Sequence, residues 1–135
     1  MYSILAKNIL YPLGDFLLGY KTVKYLNELL ETQWWPPKQL QEIQNAKLRS
    51  VVRHAYNNVP YYNRIFKQRG LNDRDVETTE DLQKLPVLTK DDIRSNFKDM
   101  LATNYAEQKP ILNASSGSTG EPLQYYIDKK IIAIS

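Results

Sequence analysis

The residues of this sequence that could do chemistry are concentrated in one run, Asn113-Ala114-Ser115-Ser116-Gly117-Ser118-Thr119-Gly120-Glu121-Pro122. Hydroxyl side chains stand on both sides of Gly117, and Gly120 and Pro122 close the run. Glycine lets the main chain turn where a Cβ would clash and lets amides approach a ligand closely. Serine and threonine add short donors without adding charge. A concavity of N–H and O–H groups built this way suits phosphate oxygens. The run holds no lysine, so the charge of a bound phosphate has to be met by Mg²⁺ or by basic residues elsewhere in the fold. By composition alone the same run could be a plain hairpin connection, and only the order of its residues separates the two readings.

That order excludes two common phosphate and acyl-transfer motifs. A Walker A loop needs Gly-x-x-x-x-Gly-Lys-Ser/Thr and leads into a helix, whereas here a strand-like segment follows. A nucleophile elbow needs glycines two residues on either side of its serine, and the spacing of Gly117 and Gly120 around Ser118 does not provide it. The chain has no cysteine and one histidine, which rules out disulfide frameworks and a zinc site built from these ligands alone. His54 is open to an acid–base role or to a structural one on a helix face, and the structural reading is preferred. Tyr56, Tyr61 and Tyr62 are read as packing residues, and Trp34 and Trp35 as packing anchors.

The elements that must position the run are mostly helical. Phe16, Leu17, Tyr20, Val23, Leu26, Leu29 and Leu30 recur at three- and four-residue steps, which predicts an amphipathic helix over 16–30. Trp34-Trp35-Pro36-Pro37 must break it, and Pro37 suits the first turn of the next helix. Leu40, Ile43, Leu48, Val51, Val52 and Ala55 predict a helix over 39–57, with Lys38, Glu42, Arg49 and Arg53 off the stripe. A shorter helix then runs from Tyr61 to a left-handed cap at Gly70. Thr78 with Asp81, and Thr89 with Asp92, each offer a side-chain oxygen for a helix start with an acid in the first turn. Beyond Phe97, Ile111-Leu112 and Leu123 to Ile127 read as strands on either side of the loop. The apolar ending Ile131 to Ile134 reads as an interruption, since a lone strand or hairpin leaves its apolar face uncovered.

Charge is divided along the chain within a net of +3. Residues 38–74 carry eight Lys/Arg against two acids, and residues 75–107 carry eight acids against four Lys/Arg. The basic stretch 38–74 is either a solvated helix face or the contact surface of a non-catalytic helical module that binds a protein partner, an anionic membrane surface or nucleic acid. No helix-turn-helix signature supports nucleic-acid reading. Residues 4–20 are apolar but interrupted by Lys7, Asn8, Pro12 and Asp15, so they do not make the ~20-residue apolar span a bilayer requires. They are either a helix packed on the protein or an amphipathic helix at a membrane surface, through residues 2–20.

The string Ser115 to Pro122 resembles the phosphate loop of the adenylate-forming superfamily, Ser/Thr-Ser-Gly-Ser/Thr-Thr-Gly-x-Pro, and matches every specified position. Leu48-Arg49-Ser50-Val51-Val52-Arg53-His54-Ala55-Tyr56-Asn57-Asn58-Val59-Pro60-Tyr61-Tyr62 and Leu85-Pro86-Val87-Leu88-Thr89-Lys90-Asp91-Asp92-Ile93-Arg94 are similar to the phenylacetate-CoA ligase and CapK-like capsule-biosynthesis branch. Leu123, where many superfamily members carry lysine, also suits the CapK-like branch. The resemblance runs from about Trp35 to Asp128. It implies an α+β fragment: amino-terminal helices over 1–33, a helical subdomain over 34–105, and over 106–135 a strand-loop-strand that begins the α/β core of an adenylating enzyme. It further implies that Ser115, Ser116, Gly117, Ser118, Thr119 and Gly120 contact the phosphates of ATP, with Mg²⁺ and a carboxylate substrate as partners in the full-length parent. In that family a carboxylate attacks the α-phosphate to give an acyl-adenylate and pyrophosphate. The remaining motifs of the family lie downstream of Ser135, so no catalytic residue is named and the chain is expected to be inactive alone. A cytoplasmic location, peripheral to the inner face of the membrane, completes the expectation.

Overall fold

The computed structural model describes residues 5–18, 22–108, 110–115 and 122–127. A π-helical turn Ala6–Leu10 runs directly into α1, Tyr11–Leu18, and α2 follows over Thr22–Thr32. The single helix expected over 16–30 is therefore two. The Val23 amide donates to the Asp15 carboxylate at 3.0 Å. Eight residues of straight helix would separate these groups by ~12 Å, so this bond requires a change of direction between α1 and α2. Among the described residues no helix is long and apolar enough to cross a membrane.

The double proline does what its chemistry demands. Pro36 precedes α3, Pro37–Asn58, which starts with proline in its first turn. Val59 is extended, and Pro60 opens α4, Pro60–Gln68, in the same way. Gly70 has φ of 65°, the left-handed conformation that favours glycine. Its amide donates to Lys67 C=O at 3.0 Å and the Leu71 amide to Phe66 C=O at 2.9 Å. This pair of bonds is the Schellman arrangement, and it turns Leu71 back onto the core.

That core is small. Val52 of α3, Phe66 of α4 and Val76 of the following loop are buried together, with Leu48, Tyr56, Leu71 and Leu85 packed around them. The Tyr56 ring meets Phe66 edge-on at 5.6 Å. Of the stripe expected on α3, Val52 is buried while its neighbour Val51 is exposed. Trp34, expected to be a packing anchor, is 83% exposed. It stands in the break between α2 and α3, where no element among the described residues covers it.

The acidic segment after Gly70 folds back on α3 and α4. Arg53 pairs with Asp73 at 3.5 Å, and Arg49 donates to Glu77 C=O. Asp81 opens the 3₁₀ turn Glu80–Lys84. Its carboxylate accepts from the Glu77 and Thr78 amides and from the Thr78 hydroxyl, and pairs with Lys84 at 2.7 Å. Thr78 is thus a donor to Asp81, the reverse of the capping role expected of it. The Lys84 bond first, and then the Thr78 and Glu77 donors, hold the Asp81 carboxyl far below the usual carboxylate range. A carboxyl lowered by folding stabilises the fold above its unfolded value near ~3.9 and loses that contribution as pH falls below it. The amide resonances of Glu77 and Thr78 should therefore hold steady from pH 7 to about 4 and titrate only in stronger acid. In Asp81→Asn this late titration should vanish; NMR across the acid range checks both.

Thr89 and Asp92 form the expected capping box at the start of α5, Lys90–Ser95. The hydroxyl accepts from the Asp92 amide at 3.1 Å, and the Asp92 carboxylate accepts from the Thr89 amide at 2.9 Å. A 3₁₀ turn Tyr105–Gln108 then leads to β1, Ile111–Ala114, which pairs antiparallel with β2, Gln124–Ile127. The molecule is a mostly helical α+β chain ending, among the described residues, in one two-stranded sheet. The segment 131–134 lies outside the described residues.

Candidate phosphate-binding site

The sheet register sets the geometry of the site. Ile111 stands opposite Ile127, Leu112 opposite Tyr126, Asn113 opposite Tyr125 and Ala114 opposite Gln124. One step further, Ser115 and Leu123 close the mouth of the loop with two bonds: the Ser115 amide donates to Leu123 C=O at 2.9 Å, and the Leu123 amide donates to Ser115 Oγ at 2.9 Å. The second bond uses a side-chain oxygen where a continuing ladder would use a carbonyl. Ser115 is therefore engaged in the base of the loop. Ser116, Gly117, Ser118, Thr119 and Gly120, the other expected phosphate contacts, lie outside the described residues.

The hairpin is held against the helical region by a chain of contacts absent from the sequence pattern. Phe97, just after α5, stacks on Tyr126 of β2 with ring centroids 5.5 Å apart and planes 21° from parallel. Such a pair contributes roughly 0.5–1.5 kcal/mol beyond its buried area. The segment that carries Phe97 is in turn lashed to the α3–α4 junction. The Tyr61 amide donates to Asp99 C=O at 2.9 Å and the Thr103 amide to Asn58 C=O at 2.7 Å. Arg64 forks to the Asp99 carboxylate at 3.1 Å and to Asn96 Oδ1 at 2.9 Å, with its guanidinium over the Tyr61 ring. Tyr61 is buried, and burial first, then the Asp92 charge, pushes its hydroxyl pKa up. The packing role expected for Tyr56 and Tyr61 is what these contacts provide.

Between the two parts lies a cleft of about 780 Å³. Residues 93–99 form one wall, and Ala114, Pro122, Leu123 and Gln124, at the two ends of the loop, form the other. The cleft thus opens beside the Ser115–Leu123 clamp. Sequence reasoning missed it, because nothing in the spacing of residues 93–99 announces a contact some twenty residues away. His54 lines a separate, smaller hollow of about 270 Å³ with Pro110 and Tyr126. Its Nδ1 is 3.2 Å from the Asn58 side-chain nitrogen, the hydrogen-bonding role preferred for it. Among the described residues no group of three or more His, Cys, Asp or Glu side chains is placed to hold a metal. Three cations of the basic stretch are bonded within the chain: Arg49 to Glu77 C=O, Arg53 to the Asp73 carboxylate and Arg64 to the Asp99 carboxylate.

No protein-family model matches the chain. Comparison with individual proteins is more informative. The chain is 39% identical over 84 residues to the phenylacetate-coenzyme A ligase of Escherichia coli strain K12, covering 62% of this chain and 19% of that enzyme. It is 30% identical over 92 residues to the enzyme of the same name from Thermus thermophilus, covering 68% of this chain and 21% of the enzyme. The protein CapK of Staphylococcus aureus is 28% identical over 107 residues, 79% of this chain and 21% of CapK. The chain spans about a fifth of the length of the curated relatives it matches. Over the region it covers, this chain is a relative of the phenylacetate-CoA ligases and of CapK, within the adenylate-forming family.

Proposed function

We propose that the chain supplies the triphosphate-holding loop and the helical support of an AMP-forming carboxylate ligase, acting in the assembly of a capsule or other surface polysaccharide. The observation that carries this reading is the clamp between Ser115 and Leu123, which seats the Ser/Gly/Thr run between two paired strands. A loop held at both ends can present several main-chain amides in one direction, and such an array matches the oxygens of a polyphosphate. The naming of the relatives as ligases supports ATP and a carboxylate as substrates of the complete enzyme. Mg²⁺ in this scheme is held mainly by phosphate oxygens, as is usual for that ion, with few protein ligands. The capsule assignment leans on the likeness to CapK and on Leu123. The location is cytoplasmic, and contact with the membrane surface falls to the apolar residues of α1, among which Phe16 and Leu17 are exposed.

Loop alone does not make a ligase, because adenylation also needs groups that fix the adenine, the ribose and the attacking carboxylate. Pyrophosphate exchange with ATP and a panel of carboxylates should therefore be absent with the 135-residue chain, while inorganic tripolyphosphate shifts the amide resonances of Ala114, Ser115 and Leu123. Extending the chain through the downstream sequence of its relatives should restore exchange. Exchange by the 135-residue chain itself would overturn the proposed division of labour, and unshifted resonances would overturn the phosphate site.

A further inference from the structure

Residues 96–103 follow α5 without forming a further helix, yet they carry the contact that reaches the hairpin. Phe97 stacks on Tyr126 of β2 with ring centroids 5.5 Å apart, and among the described residues it is the one aromatic pair that joins the helical region to the sheet. Arg64 of α4 grips this segment on both sides of the ring. Its Nη2 donates to Asn96 Oδ1 at 2.9 Å, one residue before Phe97, and its Nη1 to the Asp99 carboxylate at 3.1 Å, two residues after. Asn96 is itself fixed, since its side-chain nitrogen donates to Asp92 C=O at 2.9 Å, which leaves Oδ1 turned to the guanidinium. The near end of the grip is anchored over the Tyr61 ring, 5.6 Å from the guanidinium carbon, and Tyr61 is buried.

We propose that Arg64 is a positioning residue for the hairpin: by fixing the turn around Phe97 it sets the plane on which Tyr126 stacks, and so the place of the Ser115–Leu123 clamp. The functional weight of this role rests on the reading that the hairpin presents the candidate site. The physical case separates positioning from stability. The Arg64 and Asp99 side chains are 43% and 51% exposed, and an exposed ion pair adds little to stability. A planar guanidinium, by contrast, offers donors at fixed angles and holds two acceptors in register, which the point charge of a lysine does not. A two-stranded hairpin is marginal in isolation and takes its order from what it packs against. A fork that contributes little to stability therefore decides how the hairpin is held.

Proton NMR and amide exchange on the 135-residue chain test the proposal without any ligand. In Arg64→Met, which keeps an apolar stem over Tyr61 and removes the donors, cross-relaxation between the Phe97 and Tyr126 rings should be lost. The Ser115 amide, bonded to Leu123 C=O in the clamp, should exchange about tenfold faster, while the urea midpoint stays where it was. Arg64→Lys should recover little of either hairpin signal, and Asp99→Asn, which keeps an oxygen acceptor for the fork, should retain most of both. Phe97→Leu should reproduce the faster Ser115 exchange with Arg64 untouched. Parent-like stacking and exchange in Arg64→Met would overturn the proposal, as would parent-like exchange in Phe97→Leu. A lowered midpoint in Arg64→Met, with the Val52, Phe66 and Val76 resonances shifted along with those of the hairpin, would make Arg64 a general support of the core and overturn it too. Phosphate enters none of these measurements, so a chain that binds no tripolyphosphate overturns the phosphate site alone, and a failed coupling leaves that site standing.

Discussion

Phe66→Ala is expected to cost the helical region about 3–5 kcal/mol, the largest stability loss of any single truncation among the described residues. Phe66 is 1% exposed, and with Val76 it is one of the two largest fully buried side chains among the described residues. The buried cluster around it draws one residue from each of α3, α4 and the following loop, so loss of the ring removes the contact that joins them. The backbone bond from the Leu71 amide to Phe66 C=O survives the substitution, but Leu71 and Tyr56 lose the surface on which they pack. With a urea dependence of ~1–3 kcal/mol per molar, the unfolding midpoint should fall by about 2 M. Since the whole stability of a domain is only ~5–15 kcal/mol, this loss removes a large share of it. Phe16→Ala, at a ring 85% exposed, should move the midpoint by no more than experimental scatter. Circular dichroism against urea distinguishes the pair, and an unchanged midpoint in Phe66→Ala would mean that the core lies elsewhere.

Gly117→Val combined with Gly120→Val is expected to abolish polyphosphate binding while leaving that midpoint where it was. Two branched side chains bring Cβ atoms to positions where the proposed site needs bare main chain, so amides that would face phosphate oxygens are shielded or turned. Hydrogen bonds to charged groups contribute ~1.5–3 kcal/mol each. Losing two of them weakens binding by at least about a hundredfold. The fold should tolerate the change, because the buried cluster is built from residues 48–85 and the β1–β2 pairing from residues 111–114 and 124–127. Calorimetry with tripolyphosphate gives the affinity, and the Ser115 and Leu123 amide resonances report whether the clamp persists. Retained affinity with an intact clamp would show that the amides of this run do not hold the phosphate.

The legible parts of this fold are those governed by one residue and its near neighbours. Pro37 and Pro60 open helices because proline lacks an amide proton that the first turn would leave unpaired. Gly70 closes one because only glycine takes positive φ without cost. Thr89 and Asp92 cap one another over three residues. The periodicity of residues 16–30 misled for the same reason: a helical stripe records the face of each residue and is blind to a change of axis, and the carboxylate that links Asp15 to Val23 is compatible with either reading until the bond itself is seen. Thr78 and Asp81 carry a capping spacing, yet the 3₁₀ turn starts one residue later, with Thr79 at its N-cap, and the Thr78 hydroxyl donates to the Asp81 carboxylate.

By itself, then, the sequence determined the helix boundaries at its prolines, the left-handed turn at Gly70, the order of strand, loop and strand, and the family through the matches in residues 48–62, 85–94 and 115–122. Each of these depends on backbone sterics or on the identity of consecutive residues, which a linear string records completely. Only the tertiary structure decided that Val52 and not Val51 enters the core, that Arg49, Arg53 and Arg64 bond to Glu77, Asp73 and Asp99, and that Phe97 stacks on Tyr126. It also decided that Arg64 grips the residues on either side of Phe97. These are meetings of groups distant along the chain, and they are set by how helices and hairpin pack against one another, a geometry that no local spacing encodes.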